Sequence, residues 1–431
     1  MTVKDFLRNH RFDTFSSKVE NLIDSVLSDM EKSLAKTGGG SQPMIPTFIT
    51  VPQKVTTGKK VIVIDAGGTN FRSSLCEFFD DGTYSVSNFK KSKMPGTQSE
   101  LSKDEFFDEI AANLDYLREF GEDEVFIGFC FSYSMEILES GDGRILSITK
   151  ELKAKNIVGE LVGENLVKSM KNRGWKNISG IRLINDTVAA LMSASYKCGK
   201  PHFSSFVGVI LGTGFNSAYT ENGKIGKLEN SKPQIVVCES GNFCDIPLSD
   251  FDEILEKSTL EPGKYIAEKH CSGLYLQTIM PIILSAATSE NLFSEKISYA
   301  LKTLSDFSLV DTDAFLNSPM DDETFFGKIL KDGTETDREN LFLLFESVID
   351  RAASVSSAII AASVIKSSKG SSPLHPVAIL CDGTTIHRTY SLFPKIRAHL
   401  MEELYEKRGI HFEIFDDSEP ITLGTAIAAL A

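Results

Sequence analysis

None of the seven cysteines (Cys76, Cys130, Cys198, Cys238, Cys244, Cys271, Cys381) forms a C-x-x-C pair, and their number is odd. A disulfide framework and a zinc knuckle are therefore both poor readings, and reduced, mostly buried thiols are expected. Positive charge is also short: 45 Lys and Arg against 59 Asp and Glu leave a formal charge of −14. Such a chain repels a polyphosphate backbone instead of releasing its counterions, so nucleic acid is not an expected partner. Any phosphate-bearing ligand must be held by local geometry. The opening Met1-Thr2-Val3-Lys4-Asp5-Phe6-Leu7-Arg8 lacks the apolar core of a secretory signal, and the most apolar stretch, 352–365, is too short and serine-broken to span a bilayer. A cytoplasmic protein without a membrane span is expected. Neither G-x-x-x-x-G-K-[ST] nor G-x-G-x-x-G after a strand occurs, which removes the P-loop and the dinucleotide fingerprint.

What is present is an ordinary globular composition, 42% apolar and 24% charged, over 431 residues. At roughly 150 residues per domain that is about two to three folding units. Residues 3–36 carry Phe6, Phe12, Phe15, Val19, Leu22, Ile23, Val26, Leu27 and Met30 at helical spacing before Gly38-Gly39-Gly40, which predicts one amphipathic helix with a glycine stop. Val61-Ile62-Val63-Ile64 reads as a buried strand, Asp65-Ala66-Gly67-Gly68-Thr69-Asn70 as a turn, and 72–79 as a return strand. Strand-like runs at 125–129 and 181–184 alternate with helical segments near 104–119 and 187–197, so sheets covered by helices are expected. The longest helix is predicted over 337–367, against a central sheet.

Val63-Ile64-Asp65-Ala66-Gly67-Gly68-Thr69-Asn70-Phe71-Arg72 recurs loosely as Val209-Ile210-Leu211-Gly212-Thr213-Gly214-Phe215-Asn216. Two β-Gly-turn-β openings about one domain length apart suggest two similar halves, with coincidence between common strand-turn patterns as the alternative. A phosphate needs converging amide N–H groups, and glycines let the backbone approach it. Gly67-Gly68-Thr69 and Gly212-Thr213-Gly214 both qualify, and Asp382-Gly383-Thr384 after Val377-Ala378-Ile379-Leu380-Cys381 has the same strand-to-glycine form. Taken singly each is an ordinary hairpin or cap; together they suggest a nucleotide held between two lobes. Asp65 at the end of a buried strand either caps its own turn or holds Mg²⁺, directly or through water. Asp186, opening a helix after another strand, is either an N-cap or the acceptor of a substrate hydroxyl proton.

In this order the segments resemble the eukaryotic-type hexokinase family of sugar kinases, within the wider actin-like ATPase superfamily. Asp65-Ala66-Gly67-Gly68-Thr69-Asn70-Phe71-Arg72 is similar to the family's first phosphate motif, with Ala66 where Leu is usual. Asn185-Asp186-Thr187-Val188 is similar to its catalytic segment, Leu211-Gly212-Thr213-Gly214-Phe215-Asn216-Ser217-Ala218-Tyr219 to its second phosphate motif, and Asp382-Gly383-Thr384 to its adenosine loop. Phe131-Ser132, Thr149-Lys150, Glu239, and Glu268 within Pro262-Gly263-Lys264-Tyr265-Ile266-Ala267-Glu268-Lys269 resemble its sugar-contact segments, and Met44-Ile45-Pro46-Thr47-Phe48 its lead-in to the first strand. The resemblance runs from about residue 40 to the end.

It implies an α/β chain of two RNase H-like lobes, each a mixed sheet covered by helices, with a ligand cleft between them. The smaller lobe would be 59–184 plus 421–431, and the larger 1–58 plus 185–420. The implied reaction moves the γ-phosphoryl of MgATP to the 6-hydroxyl of a hexose, glucose foremost, as at the start of glycolysis. By resemblance Asp186 is the base and Lys150 lies beside the transferring phosphate. Ser132, Thr149, Lys150, Asn185, Asp186, Asn216, Glu239 and Glu268 meet the sugar; Gly67, Gly68, Thr69, Asn70, Arg72, Gly212 and Thr213 face phosphates; Gly383 and Thr384 flank the adenosine; Asp65 sits by Mg²⁺.

Departures from the family pattern surround the sugar set. Its Glu-Trp-Gly-Ala-Phe-Gly reads Glu239-Ser240-Gly241-Asn242-Phe243-Cys244, its Phe-Ser-Phe-Pro reads Phe131-Ser132-Tyr133-Ser134, Ile148 replaces a Trp, and Tyr265 replaces a Gln. A second class therefore stays open, a catalytically weak sugar- or nucleotide-responsive regulator on the same fold. Retention of Asp186, Lys150 and both phosphate turns favours the enzyme.

Overall fold

The computed structural model describes all residues except 149–151, 198–201, 230, 305 and 418. Its five-stranded sheet contains β2 (Lys60–Gly67), β3 (Asn70–Phe78), β4 (Tyr84–Lys93), β5 (Val125–Phe131) and β8 (Ile178–Ile184), in the order β4-β3-β2-β5-β8. Strands β2 to β4 are antiparallel, and β5 and β8 run parallel to β2. The six-stranded sheet adds the short β1 (Ile45–Pro46) to β9 (Ser205–Leu211), β10 (Phe215–Glu221), β11 (Gln234–Val237), β12 (Val377–Asp382) and β13 (Phe412–Phe415), in the order β1-β11-β10-β9-β12-β13. Here β9 to β11 are antiparallel, and β12 and β13 run parallel to β9. Strand for strand, β2-β3-β4-β5-β8 and β9-β10-β11-β12-β13 are wound alike. The sequence echo is thus an architectural repeat, with its two glycine turns at matching hairpins. A two-stranded hairpin, β6 (Met135–Ile137) and β7 (Gly143–Ile145), follows β5.

Alternation along β2 explains its layers. Ile62, Ile64 and Ala66 face one core with residues of α3 (Lys103–Leu114) and α4 (Val162–Asn172), whereas Val61 and Val63 face a second core between the two sheets. That middle layer holds α5 (Asp186–Lys197), which follows β8, and α15 (Pro420–Ala429), which follows β13. The two helices nearly touch: a Cβ at Gly424 would stand 1.7 Å from Ala189 O. Each helix also lies against the backbone of the opposite half's sheet core, since a Cβ on Gly128 of β5 would stand 2.5 Å from Thr425 O and one on Gly208 of β9 would stand 2.2 Å from Thr187 O. Only glycine allows such approach.

The larger core surrounds α12 (Glu335–Lys366), a 32-residue helix opened by a Thr334/Asp337 capping box. It packs with α7 (Ile266–Cys271), α14 (Leu392–Leu400) and β10, as expected from the long apolar run. By length and composition alone α12 would cross a membrane, but most of it is buried in the protein. Around it lie α6 (Asp250–Ser258), α8 (Gly273–Ser289), α9 (Glu295–Lys302), α10 (Leu309–Asn317), α11 (Phe325–Leu330) and α13 (Thr384–Arg388).

The single helix predicted over 3–36 is a correction. Two helices form, α1 (Val3–Asn9) and α2 (Val19–Leu34), because the chain turns through left-handed backbone at Arg11 (φ 56°) and Phe15 (φ 57°). The turn lets Phe12 and Phe15 both enter the core, and the Phe12 ring lies 4.3 Å from the buried Arg351 guanidinium, which is paired with Asp252 at 2.8 Å. Burial of the two aromatics outweighs continuing the helix. The six described cysteines are free, five of them buried and Cys244 partly exposed.

Candidate active site

The first glycine turn is shaped by its neighbour strand. Ser132 N–H donates to Ala66 O at 3.0 Å, and a Cβ on Gly67 would stand 2.8 Å from both Ser132 Cβ and Oγ. Glycine is therefore required where the two segments meet. Tyr133 donates its hydroxyl to Gly68 O at 2.9 Å, and Met94 N–H donates to Thr69 O at 3.0 Å, so the turn is fixed from both sides while Gly68 and Thr69 stay exposed. Asp65 and Arg72 are register partners across β2 and β3, with Nη1 to Oδ2 at 2.6 Å.

The second turn is stitched to two helices. Gly212 O accepts Gly273 N–H at 2.9 Å and the Thr385 hydroxyl at 2.8 Å, which ties it to α8 and α13 and leaves Thr213 at an exposed tip. The third turn follows β12: Asp382 Oδ1 accepts Gly383 N–H at 2.7 Å, and Thr384 opens α13 with its side chain exposed.

The residues expected at the sugar gather beside the second turn. Asn216 opens inward from β10, its Oδ1 accepts Ser217 N–H at 2.8 Å and Ser240 N–H at 3.2 Å, and its Nδ2 donates to Glu239 Oε1 at 3.0 Å. Glu268, on the first turn of α7, accepts Phe215 N–H at 3.0 Å. Burial pushes both glutamates above the ordinary carboxylate range, and each stays paired with a donor that pulls the other way. Paired acceptors and amides of this kind suit a ring of hydroxyls.

At the start of α5, Asn185 rather than Asp186 does most of the capping. Its Oδ1 accepts Thr187 N–H at 2.9 Å and the Thr187 hydroxyl at 2.6 Å. Asp186 Oδ1 shares that N–H at 2.8 Å, and no hydrogen bond engages its Oδ2 among the described residues. Burial pushes Asp186 up to about 7, with Glu239, Asp65 and Asp382 adding like-charge repulsion. A carboxylate poised there can take a proton at neutral pH. Asp65 and Asp382 also repel one another across the two sheets, and burial holds Asp382 above its usual value.

Of the predicted positions, the fold brings Asp65, Asn185, Asp186, Asn216, Glu239 and Glu268 and all three turns near one another, with Ser132 exposed beside Gly67. Thr149 and Lys150 lie outside the described residues. Two residues at these turns escape the sequence reading. Tyr133 was noted only as a departure from the family pattern, though its hydroxyl clasps the first turn. Asp382 was read only as the lead-in to a glycine, and a carboxylate ending a buried strand, as at Asp65, was the available signal.

Two family models, both described as hexokinase, match residues 3–196 and 206–431. Hexokinase-1 of Nicotiana tabacum is 30% identical over 348 residues, covering 76% of this chain and 68% of that protein. Glucokinase-1 of Saccharomyces cerevisiae is 25% identical over 482 residues, covering 97% and 95%. A solved Schistosoma mansoni hexokinase, in complex with glucose, shares the fold with a TM-score of 0.80 at 22% identity, over 100% of this chain and 99% of that one. Matched along nearly its whole length by the two hexokinase models, the chain belongs to the hexokinase family.

Proposed function

We propose that this chain, an ATP-dependent hexose kinase by family, transfers the γ-phosphoryl of MgATP to the 6-hydroxyl of glucose with Asp186 as general base. The observation that carries the reading is a half-buried aspartate raised to about 7, beside Glu239 and near Asp65 and Asp382, the carboxylates that lead into two of the glycine turns. Phosphoryl transfer asks a protein mainly for positioning and charge neutralisation. Asp186 accepts the hydroxyl proton. Ser132, Asn185, Asn216, Glu239 and Glu268 orient the ring, with Thr149 and Lys150 completing that set. Amides of 67–70 and 212–213 and the Arg72 guanidinium face the phosphates, while Gly383 and Thr384 border the adenosine.

Asp65, at the end of β2 with its Oδ2 2.6 Å from Arg72 Nη1, is the carboxylate that would hold Mg²⁺, directly or through water. Mg²⁺ supplies charge neutralisation at the phosphates. The segments 59–184 plus 421–431 and 1–58 plus 185–420 are proposed to close on hexose about α5 and α15, excluding water that would compete as nucleophile.

A coupled assay for hexose 6-phosphate across several sugars tests the reading. Turnover with glucose above other hexoses is expected. A protein that binds hexose without turning it over would be the regulator, and glucose ranking below another hexose would correct the substrate.

A further inference from the structure

Behind the Asn216–Glu239 pair runs a chain of three fully buried hydroxyls. Ser240 Oγ lies 2.6 Å from Ser217 Oγ, Ser217 Oγ lies 3.0 Å from Ser363 Oγ, and Ser363 donates to Ile359 O at 3.0 Å within α12. Each hydroxyl has one proton, and the carbonyl at the end only accepts. The order that satisfies all three is therefore Ser240 to Ser217 to Ser363 to Ile359 O. Buried hydroxyls are costly unless bonded, and alanines would fill this space with less desolvation.

What the chain holds is a strained turn. Glu239 has left-handed backbone, φ 55° and ψ 49°, which a side chain other than glycine adopts only when its surroundings impose it. The residue after it is Ser240, whose hydroxyl is tied to β10 through Ser217 and to α12 through Ser363. Ser217 and Ser240 also give the two backbone N–H groups that Asn216 Oδ1 accepts. With that oxygen occupied, the Asn216 amide has a single sense, Nδ2 toward Glu239 Oε1. Ser240 stands where the family pattern has Trp.

We propose that Ser217, Ser240 and Ser363 are positioning residues that fix the orientation of Asn216 and Glu239 toward the hexose, and thereby set sugar affinity and discrimination. The proposal rests on the hexose-kinase reading of the site. None of the three hydroxyls touches the reacting atoms.

The test is steady-state kinetics and hexose calorimetry on the full chain, wild type beside Ser217→Ala, Ser240→Ala, the double variant and Ser363→Ala. Loss of one buried hydrogen bond at a binding site predicts a rise of about 5- to 30-fold in hexose KM for the first two. Ser363→Ala, one bond further away, should raise it about 2- to 5-fold. The double variant should resemble the singles, since the chain acts as a unit. KM for ATP should stay within about twofold, a split that general loosening of the fold does not produce. Hexose KM unchanged in Ser240→Ala and Ser363→Ala, or ATP KM rising in parallel, overturns the proposal, and Ser363→Ala keeps it testable if Ser217→Ala fails to fold. A wild type that binds and phosphorylates no hexose overturns the underlying reading instead, and is told apart because it appears before any substitution.

Discussion

Asp186 and Asp417 stand at matching places in the two halves, each two residues beyond the last strand of its sheet and leading into a middle-layer helix. Their electrostatics are opposite. Asp186 is surrounded by carboxylates, and burial with Glu239 as chief repellent raises it to about 7. Asp417 is also buried, which works to raise it, but Lys197 and the Ser193 hydroxyl, the latter at 2.7 Å, outweigh that and hold it below its ordinary value. Topology therefore places a carboxylate, and its neighbours decide whether it is raised or lowered from its ordinary value.

The largest break in this pairing is expected from Asp186→Asn. Turnover should fall roughly 10²- to 10⁴-fold, the usual worth of a general base, while calorimetry shows hexose binding retained. Near-normal kcat would remove Asp186 from the mechanism. In the wild type, kcat should rise with pH through about 7 and then level.

Next in size are the close approaches that the two halves share. Gly128→Ala and Gly208→Ala would each drive a Cβ into a carbonyl of the opposing helix, at 2.5 Å and 2.2 Å. Each should cost about 3 kcal/mol in denaturant melts. A loss confined to one of them would show that the halves are packed less alike than their strand order.

Asp417→Asn should be milder, about 1–2 kcal/mol with kcat retained, because Lys197 is partly exposed and its attraction is screened. The two aspartates also predict opposite pH slopes of stability. The Asp417 contribution is present above its ordinary pKa of 3.8 and is lost as pH falls, so the Asn variant should approach wild type in acid. Asp186, raised from 3.8, favours the folded state at low pH and loses that contribution as pH climbs toward 7. Asp186→Asn should therefore melt higher than wild type at pH 8, and the gap should close near pH 4. Thermal melts across pH would show parallel curves if this assignment is wrong.

Much of this was readable from residues alone where chemistry is local. The continuous β-branched run of β2, the glycine turns and the aspartate before α5 each have a short-range cause, and their order along the chain supplied the family. What was not readable depends on distant partners. The break between α1 and α2 follows from Phe12 and Phe15 finding a core that includes Arg351, more than 300 positions away in numbering. Ser217, Ser240 and Ser363 look like ordinary small residues until three elements meet. The Asp186/Asp417 contrast needed the fold, because Lys197 and Ser193 reach Asp417, and Glu239, Asp65 and Asp382 reach Asp186, only across long stretches of chain.

The position of α12 in the chain has a consequence for how the protein is made. It leaves the ribosome after β9 to β11 but before β12 and β13, so its apolar surface emerges while the sheet it will lie against is still missing two strands. Until those last strands dock, the nascent chain presents a long greasy rod to every other hydrophobic surface in its surroundings. The interval between the emergence of α12 and that of β13 is thus the window in which chaperone capture or aggregation competes with folding.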